Sequence, residues 1–311
     1  MRVKLVILIL LSSVFLFLQG CANDTEGNEE VLKIGLLPDD ASIPIMIADE
    51  LGYYENEGLQ ANIQLFRSAG DRDAAIQAKE LNCVSTDVLS LGLFRESGIL
   101  TYGVAQTEGT YGILINSNTD IHDISDLNGK SIGISFNTLM EYLLDTALVY
   151  NEINPDQTNK VSIPSIPARL EMLNNGQIDG ATLPEPLVSG AVANGSRLLI
   201  SNDEFDTFPG ILMVTEEYIH NNASNLQAFF RAYNQAVDYI NNTPQDDYFS
   251  IIKEKLAFPE GSEDYFQVKA YHKIVLPEKQ EIEKGMQWLF DKGMISEDYT
   301  FEELVLDMMV N

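Results

Sequence analysis

Cysteine, histidine and basic residues are scarce in this 311-residue chain. It contains two cysteines and three histidines, and its 19 lysines and arginines stand against 47 aspartates and glutamates, giving a formal net charge of −28 at pH 7. The three histidines share no spacing that is typical of metal ligands, so we expect neither a metal site nor a cofactor. Nucleic-acid binders carry basic patches, and anionic lipid surfaces attract basic segments. The charge therefore argues against both as electrostatic partners.

The N-terminus carries the longest apolar run of the chain. Two basic residues precede the apolar segment 5–18, and Cys21 follows directly after a glycine. This layout is typical of a secretory signal peptide, and the run is shorter than the roughly 20 residues that span a bilayer. Because a small residue followed by cysteine resembles a bacterial lipobox, we predict a signal peptide over residues 1–20, lipidation of Cys21 and a flexible acidic tether over residues 21–30. The open alternative is an ordinary signal peptide or an uncleaved anchor with an incidental cysteine.

A lipidated Cys21 would leave Cys83 without a disulfide partner. Cys83 is then most simply a small buried apolar residue, and a reactive or regulatory thiol is the alternative.

The chain repeats its own pattern at an offset of about 98 residues. Each copy reads as strand, helix, strand, helix, strand, which predicts two lobes around mostly parallel sheets. The alternative is that α/β chains share such patterns without duplication. The predicted strands are 33–37, 61–66 and 83–87 in the first copy, and 131–135, 160–164 and 176–182 in the second. The helices that follow the first two strands of each copy are predicted at 43–54 and 71–80, then from 139 to about 150 and at 168–174.

Further strand-like runs occur at 100–105, 111–115, 197–200 and 210–214. Between the members of each pair, the chain crosses from one copy to the other, so it crosses twice in all. Two crossings form a hinge, which makes closure around a ligand mechanically possible. We predict lobe I over residues 31–106, completed by residues 213–311, and lobe II over residues 107–212.

The remainder of the chain reads as helical. The apolar spacing predicts helices at 223–241, 261–274, 277–292 and 300–310. We expect them to pack on the first lobe, with Trp288 and Phe290 in the core.

Several short motifs occur in an order that resembles one known family. The segment 46–59 ends in Gly-Tyr-Tyr-Glu-Asn-Glu-Gly-Leu, the segment 126–133 reads Asp-Leu-Asn-Gly-Lys-Ser-Ile-Gly, and the segment 173–180 ends in Gly-Gln-Ile-Asp-Gly, shortly before Pro184-Glu185-Pro186. Together they resemble the periplasmic-type solute-binding proteins of bacterial ABC importers, and within these the nitrate/sulfonate/taurine and thiamine-pyrimidine branch.

The resemblance implies a type II periplasmic-binding-protein fold of two βαβ lobes, mostly parallel sheets, a two-strand hinge and C-terminal helices. It also implies that the protein captures a small organic solute in the interlobe cleft and delivers it to ABC permease subunits. With the lipid anchor, it predicts a monomer on the extracytoplasmic face of the cell membrane.

Ligands of open α/β sheets bind beyond the carboxyl ends of the strands, where helix N-termini favour ligand oxygens. The loops at those ends contain the expected ligand-binding residues, which are Asp39, Asp40, Ser42, Arg67, Ser68, Thr86, Asp87, Phe136, Asn137, Thr138, Pro184 and Glu185. The alternative is that the aspartates and serines only cap helices, and residues 71–73 read as a solvated first helical turn. The carboxylates favour a neutral-to-cationic ligand such as an amine or a pyrimidine. The alternative is a sulfonate or nitrate, which would rely on Arg67 and backbone N–H groups.

Two other functions fit the same pattern. One is a ligand-sensing lipoprotein that feeds no transporter, and the other is a pyrimidine-synthesis-like enzyme, because a fold alone does not exclude catalysis. The sequence has no nucleophile elbow, P-loop or metal spacing. We therefore predict no catalytic residues.

Overall fold

Two five-stranded sheets form the framework of the protein in the computed structural model, which describes residues 30–308. The predicted signal peptide and Cys21 lie outside the described residues, as does nearly all of the tether. In the part that is described, no helix is long and apolar enough to cross a membrane.

The first sheet has the strand order β2-β1-β3-β10-β4. Strands β1, β2 and β3 are parallel, and β10 runs antiparallel to both β3 and β4. The strands span β1 Leu32–Leu36, β2 Ala61–Leu65, β3 Cys83–Asp87, β4 Thr101–Gln106 and β10 Gly210–Thr215.

The second sheet repeats this plan in the order β7-β6-β8-β5-β9, with β5 as its antiparallel member. Its strands span β5 Tyr111–Ile115, β6 Ser131–Ile134, β7 Asn159–Ser162, β8 Gly180–Pro184 and β9 Arg197–Ser201. The predicted fold class is therefore confirmed, and the strand boundaries of the first copy and of both crossings agree with the prediction to within two residues.

Helices follow the strands of both sheets. In the first copy they are α1 Ile43–Glu50, α2 Tyr53–Asn56, α3 Ala69–Gln77 and α4 Val88–Glu96, and in the second α5 Leu139–Tyr150, α6 Ile166–Asn174 and α7 Leu187–Ala193. The predicted helix 43–54 is split because Gly52 adopts a left-handed conformation with φ of 71°, which glycine reaches without steric cost. Helix α4 was not predicted, and Asp87 caps it by accepting a hydrogen bond from the Leu89 amide.

The chain changes sheet twice, at residues 107–110 and 202–209. These two connections form the predicted hinge. The two connections lie side by side, and buried Asn202 joins them. It accepts a hydrogen bond from the Tyr111 amide at 2.8 Å and donates one to the carbonyl of Gly109 at 3.3 Å. Strand β10 spans the predicted lobe boundary between residues 212 and 213, and the exact lobe limits stay a prediction.

The C-terminal part is less helical than predicted. It contains α8 Glu216–Asn221, α9 Ala223–Asn242, α10 Phe249–Lys255, α11 Lys279–Asp291 and α12 Phe301–Leu304. The helix predicted at 261–274 is wrong, because only the 3-10 turn Ser262–Asp264 forms there. The helix predicted at 300–310 ends at Leu304, since Val305 pairs with Gly103 of β4 instead.

The C-terminal helices cover the first sheet through their apolar faces. Helix α9 packs on α1, and α11 packs on α4. In the second contact, a β-carbon added to Gly92 would lie 2.7 Å from the sulfur of Met286 and 2.8 Å from a methyl of Leu289, so glycine allows the close approach. Trp288 packs against the core as predicted, whereas Phe290 is 47% exposed and its core prediction is wrong.

Candidate functional site

A cavity of about 40 Å³ lies where the carboxyl ends of strands from both sheets face each other. That volume suffices for roughly three ordered water molecules. One side is lined by the loop after β1, by the first turn of α3 and by the end of β3. The other side is lined by the start of β5, the end of β8, the loops after β6 and β7, and the first turns of α5 and α6. The lining residues are Leu37, Asp39, Ala69, Arg72, Ser85, Thr86, Asp87, Tyr111, Ser135, Thr138, Leu139, Met140, Pro164, Ile166, Arg169 and Pro184.

Five of the twelve residues predicted to bind ligand line this cavity. They are Asp39, Thr86, Asp87, Thr138 and Pro184. The structure thus brings together residues of both copies that lie up to 145 positions apart in the sequence.

Four other predicted residues lie behind the cavity wall and hold its loops. Ser42 donates to Asp39 Oδ1 at 3.0 Å and to the carbonyl of Leu37 at 2.9 Å. Ser68 caps α3, and Glu185 accepts hydrogen bonds from the amide and the hydroxyl of Ser189. The fourth is Asp40, which contacts the hinge.

The remaining three predicted residues are exposed. Arg67 lies on the surface and does not line the cavity, and Phe136 is 42% exposed. Asn137 adopts a left-handed conformation with φ of 60°, and its amide donates to Glu141 Oε2 at 2.8 Å. In this conformation the Asn137 side chain is exposed, whereas the next residue, Thr138, reaches the cavity.

Two buried arginines line the cavity, and sequence reasoning missed both. Arg72 is 2% exposed, so the prediction of a solvated turn at residues 71–73 is wrong for it. Its Nη1 donates to the carbonyl of Ser85 at 2.8 Å, and its Nη2 donates to Thr86 Oγ1 at 2.7 Å. Asp73 lies 2.8 Å from Nη2 and balances the charge.

Arg169 is fully buried and bonds only to backbone carbonyls among residues 30–308. Its Nη1 donates to the carbonyl of Thr182 at 2.8 Å, while Nε and Nη2 donate to that of Ile163 at 3.0 and 2.9 Å. Burial lowers the pKa of Arg169 to about 10, which keeps it protonated at neutral pH. The second lobe thus presents a buried positive charge with no carboxylate partner in the described chain.

The two arginines occupy equivalent positions of the repeat. Each is the fourth residue of the helix after the second strand of its copy, and each bonds to the third strand. A β-carbon on Gly35 of β1 would lie 3.3 Å from Arg72 Cγ, and one on Gly133 of β6 would lie 3.2 Å from Arg169 Cγ. Glycine therefore leaves room for each arginine stem to cross the sheet. The shared 97- to 98-residue offset of Gly and Arg was a signal in the sequence that could have revealed them.

The first-lobe side of the cavity is acidic. Burial raises the pKa of Asp39 to about 6, and the Ser42 hydroxyl and the charge of Arg72 oppose that rise. Burial also raises the pKa of Asp87 to about 6, again against the charge of Arg72. The ionised form of both carboxyls predominates above about pH 6, so Asp39 and Asp87 outnumber Arg72, the arginine that lines this wall. The two walls therefore carry opposite excess charge.

One hinge residue contacts the cavity-lining loops of both lobes. The amide of Thr110 donates to both carboxylate oxygens of Asp40 at 3.0 Å, and its carbonyl accepts from the Glu185 amide at 2.9 Å. Asp40 follows the cavity residue Asp39, and Glu185 follows the cavity residue Pro184. Thr110 thus connects the two lining loops through its backbone amide and carbonyl.

Cys83 is 1% exposed, and burial raises the pKa of its thiol to about 12. This confirms the buried apolar role and disfavours the thiolate that a reactive cysteine needs.

Within residues 30–308, no three histidine, cysteine, aspartate or glutamate side chains are grouped as a metal site would need.

Comparison with known proteins identifies the same architecture. The chain is 26% identical over 247 residues to a protein of Bacillus subtilis (strain 168) that is named for binding aliphatic sulfonates, and the match covers 74% of this chain and 72% of that protein. The alkanesulfonate-binding protein SsuA from Xanthomonas axonopodis pv. citri, bound to MOPS, superposes with a TM-score of 0.76 at 14% identity, covering 89% of this chain and 98% of that one. The aliphatic sulphonate binding protein SsuA of Escherichia coli gives a TM-score of 0.74 at 15% identity, with coverage of 89% and 97%.

The two structural matches establish the fold alone, because their sequence identities are low. A family model adds sequence information, since it matches residues 40–247. That range includes both arginines, the whole second sheet, the hinge and every strand of the first sheet except β1. By this match the chain belongs to the NMT1/THI5-like family.

Proposed function

We propose that this protein is the extracytoplasmic solute-binding component of an ABC importer, which captures a small organic solute between its lobes and delivers it to a membrane permease. One observation carries the proposal. A single cavity is lined by the strand ends of both lobes, and each lobe contributes one buried arginine from an equivalent position. A ligand in this cavity contacts both lobes at once, so its binding energy favours the closed arrangement. The curated relative named for sulfonate binding supports the same function.

The charge of the cavity walls indicates the chemistry of the ligand. Buried charges require a compensating partner, and Arg169 has only carbonyl partners among residues 30–308. An acidic group on the ligand would supply that partner. Opposite it, Asp39 and Asp87 would accept hydrogen bonds from an amine. We therefore infer a small solute that carries an acidic group and an amine a few bonds apart, of which an aminosulfonate is the simplest example.

A matched ligand series tests this inference. We would measure the melting temperature and the Kd of the protein with 2-aminoethanesulfonate, ethanesulfonate, ethylamine and an aminopyrimidine. Because a ligand that binds only the native state stabilises it by mass action, about 2.7 kcal/mol at 100 times Kd, the aminosulfonate should raise the melting temperature most. Equal binding of ethylamine or the aminopyrimidine would contradict the ligand class, because neither has an acidic group for Arg169.

Delivery to a permease needs its own experiment. Cells that express the protein together with its permease and ATPase should take up the radiolabelled ligand, and deletion of the binding protein should abolish high-affinity uptake. Uptake that is unchanged by the deletion would contradict the importer role and favour a sensing lipoprotein. The lipid anchor at Cys21 remains part of the proposal, because it would hold the solute-binding protein beside the permease.

A further inference from the structure

A cluster of two buried carboxylates and two partly exposed lysines connects the second lobe to the C-terminal helix α11. The cluster consists of Glu141, Asp145, Lys160 and Lys292. Lys160 Nζ lies 3.2 Å from Glu141 Oε1 and 2.5 Å from Asp145 Oδ1. Lys292 Nζ contacts Glu141 Oε1 and lies 3.3 Å from Asp145 Oδ2. The two carboxylates are 2% and 6% exposed, whereas the side chains of Lys160 and Lys292 are 13% and 30% exposed. The acidic side of the cluster is therefore shielded from water, and Lys292 reaches it from the surface.

The members of the cluster belong to different lobes. Glu141 and Asp145 lie on α5 and Lys160 on β7, which are both elements of the second lobe. Lys292 follows the last residue of α11, and α11 packs on α4 of the first lobe. Trp288 of α11 also contacts the second lobe, because its Nε1 donates a hydrogen bond to Asp145 Oδ2 at 3.2 Å. Separation of the lobes would therefore withdraw Lys292 and Trp288 while Lys160 stays.

The charge balance of the cluster depends on the distance between the lobes. With Lys292 in place, two carboxylates face two ammonium groups. Without it the cluster has one excess negative charge, which is costly while it stays buried. Lys160 still pairs with both carboxylates after separation, and the opened surface admits water. The arrangement thus favours approach of the lobes without preventing their opening.

Glu141 connects the cluster to the ligand cavity. Its Oε2 accepts the amide hydrogen of Asn137 at 2.8 Å and so holds that residue in its left-handed conformation. Thr138 follows, lines the cavity and caps α5. Burial alone would raise the pKa of Glu141, but its bonds to Lys292 and the Asn137 amide, with the charge of Lys160, lower it below the ordinary value. Glu141 is therefore an ionised, strong acceptor.

We propose that Lys292, assisted by Trp288, is a positioning residue for ligand binding. It contacts Glu141 across the lobe interface, and Glu141 orients residues 137–138 toward the cavity. The effect on affinity rests on the proposed solute-binding function, whereas the effect on loop order and lobe separation does not.

The test compares Lys292→Gln with Lys279→Gln in the full chain without ligand. Lys279 lies at the other end of α11 and contacts Glu283, Glu302 and the ring of Phe301, all of the C-terminal segment, so its replacement removes the same charge without touching the second-lobe cluster. In Lys292→Gln the Asn137 amide should exchange with deuterium about tenfold faster, because local opening becomes easier. The radius of gyration in solution scattering should also rise. Lys279→Gln should match the wild type in both measurements.

A second measurement tests the link to the ligand. The Kd for 2-aminoethanesulfonate should rise at least about fivefold in Lys292→Gln, as is typical of coupling between sites, mainly through faster dissociation. Trp288→Phe, which keeps a ring but removes the Nε1 donor, should show a smaller change in the same direction.

Wild-type exchange at Asn137 and a wild-type radius of gyration in Lys292→Gln would overturn the proposal, even if the variant melts at a lower temperature, because Lys292 would then stabilise the fold without positioning the loop. Failure of the wild type to bind 2-aminoethanesulfonate would instead count against the ligand class, and the ligand-free measurements would still decide on Lys292.

Discussion

Arg72 and Arg169 make the same contact in the two lobes. Each donates from Nη1 to a backbone carbonyl of the third strand, those of Ser85 and Thr182, and both distances are 2.8 Å. The positive charges of the two arginines are balanced differently. Arg72 pairs with Asp73, whereas Arg169 bonds only to carbonyls within residues 30–308. The duplicated scaffold thus places two guanidinium groups at one cavity and gives only one of them a carboxylate.

Arg169→Met should reduce both stability and ligand affinity. The carbonyls of Ile163 and Thr182 would lose buried donors, at about 1–3 kcal/mol each, and the acidic group of the ligand would lose a charged partner. We expect a fall of about 3 kcal/mol in the free energy of unfolding by urea and a roughly 100-fold higher Kd for 2-aminoethanesulfonate by calorimetry. Arg67→Met, at an exposed position, is the matched control and should change neither value. Unchanged affinity in folded Arg169→Met would assign Arg169 a purely structural role.

Gly133→Ala should destabilise the second lobe. The added methyl would lie 2.7 Å from Ile178 Cδ1 and 3.2 Å from Arg169 Cγ, and overpacking of this kind costs about 1–3 kcal/mol. Gly70→Ala is the control, because nothing lies within 4 Å of its added carbon and alanine suits a helix better than glycine by about 0.5–1 kcal/mol. Urea unfolding of both variants should give shifts of opposite sign. Equal stability of Gly133→Ala and the wild type would refute the need for a glycine beneath the arginine stem.

Stability should fall with rising pH through the titration of Asp87. Its pKa is raised to about 6 by burial, so the folded state binds this proton more tightly than the unfolded state does. The resulting stability is fully present below pH 3.8 and is lost as the pH rises through 6, with a magnitude on the order of 3 kcal/mol. Asp87→Asn mimics the protonated form and keeps a capping oxygen for the Leu89 amide.

The variant should therefore exceed the wild type in stability at pH 7.5 and equal it near pH 3.5, as judged by urea midpoints at both values. A difference between variant and wild type that does not depend on pH would show that the carboxyl is not the titrating group. Ligand affinity at pH 7.5 should fall in the same variant, because an amine would lose its anionic acceptor.

Cys21→Ser should move the protein from the membrane fraction to the soluble fraction of expressing cells. The covalent lipid contributes about 0.8 kcal/mol of membrane affinity per buried methylene, and serine cannot carry a thioether-linked lipid. Cys83→Ala is the control and should stay with the membranes, because Cys83 is buried in the fold. Persistence of Cys21→Ser in the membrane fraction would argue against lipid anchoring.

The fold could be predicted well from the sequence because its signals are local. Short apolar strands repeat at a constant offset, and the strand predicted at 83–87 coincides with β3. Prediction failed where a segment depends on distant partners. Residues 265–274 have apolar residues at helical spacing, but other side chains hold them in irregular structure. Asn241, for example, accepts a hydrogen bond from the Tyr271 amide and donates one to the Tyr271 carbonyl.

The candidate site could be predicted only in part for a related reason. Loops after strands are recognisable in the sequence, and Asp39, Thr86 and Asp87 were found in that way. Arg72 and Arg169 lie inside helices, where an isolated arginine usually reads as a surface residue. Their burial depends on Gly35 and Gly133 of neighbouring strands, which is a contact between segments more than 30 positions apart.

By itself, then, the sequence determined the duplicated α/β plan, the two crossings and the family, because the periodicity and order of short motifs carry that information. Only the tertiary structure decided which side chains reach the cavity, how Thr110 contacts both cavity-lining loops and how Lys292 contacts Glu141. These relationships arise where the two lobes contact each other, and each depends on burial and on distances between residues far apart in the chain.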